Sequence, residues 1–162
     1  MIEGIIKFSG FRVEKISYNF KAMDSEISTE KASISPEFML RLVHKATESE
    51  QDTKKFFNIL FGVRVGFNED ENIPFSSEVV LRGFYRFSSE DAEGYEITDM
   101  NKFLLTNGCA ILFPYLRAAL TDVTSKSNHN PIILPTINFH KFIENRDIDE
   151  LLLDSSRYVE KI

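Results

Sequence analysis

The chain has 162 residues, 43% of them hydrophobic and 27% charged, the balance of one soluble domain with its own core. Its net charge of −6 argues against nucleic-acid binding, which leaves a basic footprint, and its single cysteine excludes an internal disulfide. Neither a basic-then-apolar secretory signal nor an apolar run near ~18 residues stands out, so the expected setting is cytoplasmic, without membrane insertion.

Ile5, Ile6 and Phe8, then Ile16, Tyr18 and Phe20 alternating with polar residues, predict a first strand over 5–20. Residues 21–36 are polar and end in Ser35-Pro36, a long loop. Phe38 to His44 reads as a second strand. In KKFFNILFGVRVGF (54–67), Phe57, Ile59, Phe61, Val63, Val65 and Phe67 share one face. Asn58, Leu60, Gly62, Arg64 and Gly66 share the other, which predicts a long strand with one wet face. An acidic loop follows at 68–72. Val79, Leu81, Tyr85 and Phe87 then alternate with Glu78, Arg82 and Arg86. Residues 89–99 carry five acids and no base, a solvated loop. Ile97 to Leu105 suggests a short helical turn.

Asn107-Gly108 is a turn signal. Pro114 suits a first helical turn, where its missing N–H costs nothing. Tyr115, Leu116, Ala119, Leu120 and Val123 then recur at helical spacing, predicting a helix over 113–126. Asn130-Pro131 stops it, because the residue before proline is pushed out of the helical region. Ile132 to Pro135 forms an apolar connector, and Asn138 caps a second helix carrying Phe139, Phe142 and Ile143. Leu151, Leu152, Ser155, Tyr158, Val159 and Ile162 extend helical spacing into the tail. Strands first and helices last predict one α+β domain over 1–162: strands mainly in 1–106, the helical part in 107–162.

No motif of phosphate binding, zinc hydrolysis or dithiol chemistry is present. His44, His129 and His140 are scattered, and the acidic loops lack calcium-ligand spacing. No catalytic residue, metal or cofactor is therefore assigned. The composition holds 15 Phe, 5 Tyr and no Trp, more phenylalanine than a small core needs. Phe38, Phe75, Phe139 and Phe142 lie beside polar loops or at element ends. Rings placed there suit a groove for extended peptides, since apolar contact is non-directional.

The run ILFPYLR (Ile111–Arg117), followed by PIILPTINF (Pro131–Phe139), resembles the SecB family of tetrameric protein-export chaperones. Residues 55–88 resemble its two long strands, Ser35-Pro36-Glu37 the start of its second strand, and FRVEKISYNF (Phe11–Phe20) its first. The resemblance implies a four-stranded antiparallel sheet with two C-terminal helices on one face. It also implies a homotetramer, a dimer of dimers with the long helix sandwiched between sheets. Unfolded preproteins would bind in grooves between the second helix, the loop after the first strand and the sheet. Phe75 and Phe139 match groove aromatics. Phe38, Leu40, Leu42 and Leu134 match its aliphatic stretch, and Ile34 stands where the family has a tryptophan. The family presents acids on its sheet to the export motor SecA. Only Glu78 is kept here, with Lys15 and Asn19 in place of others. The leading expectation is an ATP-independent holdase for protein export. The alternatives are a SecB-like chaperone of a toxin–antitoxin system, which would hold an antitoxin, and a small-ligand binding α+β domain.

Overall fold

The computed structural model describes residues 4–21, 34–45, 54–68, 73–127 and 130–153. Four strands, β1 (Ile6–Phe20), β2 (Glu37–His44), β3 (Lys54–Val65) and β4 (Phe75–Ser88), form an antiparallel sheet in the order β1-β4-β3-β2. Three helices follow: α1 (Met100–Ser125), α2 (Phe139–Glu144) and α3 (Ile148–Leu151). Beyond α3, the two-residue β5 (Leu152–Leu153) pairs parallel with β2. The α+β class and the four-stranded sheet are as expected. Of the tail expected to be helical, 154–162 lies outside the described residues, as does most of the loop 21–36.

Phe57, Ile59, Phe61, Val63, Leu81 and Tyr85 point to the inner face, where α1 buries Leu104, Leu105, Leu112, Leu116 and Leu120 against them. α1 starts well before the expected 113. Asp99 caps it, accepting the backbone N–H of Lys102 at 3.1 Å. Gly108 marks a close approach inside the helix and not a turn: a Cβ there would lie 2.2 Å from Ile59 Cδ1. Pro114 also sits inside the helix, on its exposed side. The Ala110 carbonyl that loses its intrahelical donor is on that same solvent side, where the loss is cheapest. By length and composition α1 is apolar enough to cross a membrane, a property the sequence reading missed. In this fold its apolar face lies on the sheet.

The outer face differs from the wet face expected. Register rows there run Arg12–Arg82–Leu60–Arg41 and Lys7–Arg86–Phe56. Leu60 is buried between the long stems of Arg82 and Arg41, Val80 beside that of Lys15, and Asn58 in the row of Phe84 and Val43. Breaks in register between Phe8 and Gly10 and between Val13 and Lys15 are bulges, and Gly10 has φ 124°, which favours glycine.

Candidate functional site

Five phenylalanine rings from four elements form one cluster on the inner face. Phe38 of β2 lies 5.9 Å from Phe61 of β3 and 5.7 Å, edge-on, from Phe142 of α2. Phe61 lies 6.0 Å from Phe139, which in turn lies 5.3 Å from Phe113 of α1. Such pairs contribute ~0.5–1.5 kcal/mol beyond their burial. α2 has six residues, too few to hold as a helix alone. Two things keep it in place. The Asn138 side chain accepts the Lys141 N–H at 3.1 Å, and Phe139, Phe142 and Ile143 pack on the cluster.

The connector into α2 is pinned from the helix. Thr124 Oγ1 accepts the Ile132 N–H at 2.9 Å, and Thr121 Oγ1 donates to the Ile132 carbonyl at 2.9 Å. This satisfies both backbone groups of Ile132 and turns Leu134 into the core, while Ile133 faces out.

The expected client-binding residues therefore divide by depth. Ile34 is exposed, and Phe38, Phe139 and Phe142 are half-buried. Leu40, Leu42 and Leu134 are buried beneath them. Phe75, expected to be half exposed at the strand start, is 2% exposed and stacks on Tyr18 at 5.1 Å. Its neighbour Tyr18 on β1 covers it, which one strand's own pattern does not show. Arg146 lies 4.2 Å above the Phe142 ring and caps one of its faces.

Glu78, the expected docking acid, is 5% exposed. Its Oε2 pairs with Lys15 Nζ at 2.8 Å, and its other oxygen has no hydrogen-bond partner among the described residues. Cys109 is fully buried, and that burial pushes its thiol far above the ordinary range, so it stays protonated.

Sequence reasoning missed a second apolar surface. Phe11, Val13, Ile16 and Phe20 on the inner face of β1 are 41–71% exposed, beside the exposed ring of Tyr115 on α1, 4.7 Å from Phe11. The two bulges shift the phase of alternation, so a strict period of two loses the stripe.

A family model for SecB, preprotein translocase subunit SecB, matches residues 11–149. The chain belongs to the SecB family. Uncharacterized protein MJ0357 of Methanocaldococcus jannaschii is 26% identical to this SecB-family chain over 141 residues, 86% of this chain and 83% of that protein. The protein-export protein SecB of Anaplasma phagocytophilum is 28% identical over 102 residues, 63% of each. The match thus spans less than two thirds of that SecB. Among solved structures, the Mycobacterium tuberculosis Rv1957 SecB-like chaperone, in complex with a ChAD peptide from the Rv1956 HigA1 antitoxin, superposes with a TM-score of 0.53. It covers 82% of this chain and 90% of that one at 12% identity, a likeness of fold. Membership of this family supports a chaperone role.

Proposed function

We propose that this SecB-family chain is an ATP-independent holdase, binding unfolded polypeptide segments along the rings of Phe38, Phe139 and Phe142. The observation that carries the reading is the continuous ring cluster with three half-buried members, Phe38, Phe139 and Phe142, and exposed Ile34 four residues before Phe38. Clients of varied sequence suit such a surface, because its contacts are apolar and non-directional. Leu40, Leu42 and Leu134 form its floor, and Phe75 supports the sheet. The rings contact one another and fill their own space, which does not favour an enclosed small-ligand pocket. Holding a chain needs no catalytic group, metal or cofactor. A cytoplasmic setting fits clients met before export or assembly.

Two finer points belong to the same reading. The exposed stripe of Phe11, Val13, Ile16 and Phe20 with Tyr115 supports a homotetramer, since a monomer would leave it in water. The burial of Glu78 under Lys15 removes the retained acid from reach of SecA. That favours clients passed on without the motor, such as an antitoxin, over preproteins delivered through SecA.

The test is suppression of aggregation of a chemically denatured protein, without nucleotide. The expected result is stoichiometric suppression by the parent, lost in Phe38→Ala/Phe142→Ala at an unchanged ellipticity spectrum. No suppression by the parent at any ratio overturns the reading.

A further inference from the structure

We propose that the outer face of the sheet docks an extended, acidic polypeptide segment of a partner protein. Within a chain of net charge −6, this face is cationic. Toward one end of the sheet, Arg12, Arg82 and Arg41 share one register row and Lys7 and Arg86 another, with the row of Phe84 between them, and the outward strand acid among them is Glu14. Arg12 and Arg82 both bind the same Glu14 carboxylate. Two guanidinium groups thus share one acid, which leaves donors of each fork for further carboxylates. The Arg12 side chain is 61% exposed, and Phe56 beside Arg86 is exposed too.

The surface shape and chemistry select among polyanions. The depression on this face beside Gly62, lined by Glu37, Arg64 and Glu78, encloses about 10 Å³, too little for a small molecule. The Arg12 guanidinium lies 5.7 Å over the Phe84 ring and covers one of its faces, which leaves Phe56 as the exposed ring beside Arg86. A long nucleic acid would also run past the acidic remainder of the surface, whereas a short peptide need touch only this face. An extended peptide places alternate side chains on one side, so acids on that side meet the arginine rows while residues between them face away. The sign of charge is opposite to that of the acidic sheet that the family resemblance associates with the motor, of which the sequence keeps only Glu78. The surface lies on the opposite side of the sheet from the ring cluster, so docking there does not depend on client holding.

The probe is a fluorescein-labelled oligo-glutamate peptide, which has no apolar side chain for the ring cluster, titrated into the full chain at low and physiological salt. The expected result is saturable binding that weakens with salt and falls about tenfold in Arg86→Glu, with aggregation suppression at the parental level. Arg86→Gln and Arg12→Gln, milder changes at partly exposed positions, should each weaken binding in the same direction if the reversal misfolds. Absence of binding at low salt overturns the proposal, as does binding that these variants leave unchanged. An oligothymidylate that binds tighter than the peptide through the same arginines overturns it too, in favour of a nucleic-acid surface.

Discussion

The hydroxyl of Tyr85 donates a 2.7 Å hydrogen bond to the carbonyl of Gly108, joining the inner face of β4 to the middle of α1. Burial drives the phenol far above its ordinary pKa, so it remains a donor across the usable pH range. Tyr85 also stacks on Phe57 with ring centroids 5.0 Å apart. Tyr85→Phe keeps the stack and removes the bond. It should lower the unfolding free energy by ~0.5–1.5 kcal/mol, read as a shift in urea midpoint at constant slope. A slope that changes with the midpoint would mean that the substitution reorganises the fold.

Phe75 and Phe61 should behave alike. Both are buried in the core, so Phe75→Ala and Phe61→Ala should each cost ~3–5 kcal/mol of stability. Phe142→Ala should cost less than either, because its ring is half-buried, and should reduce client affinity by ~1 kcal/mol or more. Paired unfolding and aggregation assays check both. If Phe75→Ala retained the parental midpoint and lost holding, the ring would be a client contact after all.

Ile16→Asp places a charge in the exposed stripe of β1. An isolated chain loses little by this, since Ile16 is 49% exposed. An assembly that buries the stripe would come apart, because an unpaired charge there is costly. Sedimentation velocity should show the parent as an oligomer and Ile16→Asp as a smaller, folded species. A parent that sediments as a monomer at micromolar concentration contradicts the assembly.

Glu14 gives a pH signature. Its partial burial raises the carboxyl pKa, and the hydrogen bonds and charges of Arg12 and Arg82 more than reverse this, leaving it below the ordinary 4.5. A carboxyl with a folded-state pKa below its unfolded one stabilises the fold above the unfolded value. That contribution fades as pH falls through the folded value. Unfolding midpoints of Glu14→Gln should therefore decline less steeply than the parent's below about pH 4.5. Equal slopes would mean that the two arginines do not favour the ionised form.

Much of the architecture was legible from local pattern. The alternation of Phe57 to Val65 and of Val79 to Phe87 located β3 and β4, and Asn138 announced α2. Three features were not legible, for three reasons. Gly108 looked like a turn because its reason is tertiary: Ile59 needs the space that a Cβ would fill. The stripe on β1 was hidden by bulges, which change the phase that periodicity depends on. The depth of Leu40, Leu134 and Phe75 is set by what lies above each residue, and a pattern along one strand reports only which side it faces. Exposure of a site residue is thus the property sequence carries least well.

The sheet order has a consequence in time. β2, β3 and β4 are neighbours in sequence and in space, but β1 pairs with β4, so that Ile6 meets Phe87. At the ~5–20 residues per second of translation, about 4–16 s separate the emergence of those two residues from the ribosome. During that interval Phe8, Phe11, Val13 and Ile16 have no strand to join, and long-range pairing of this kind is slow in any case. The first strand therefore spends that interval as an unfolded segment, its apolar half waiting for β4.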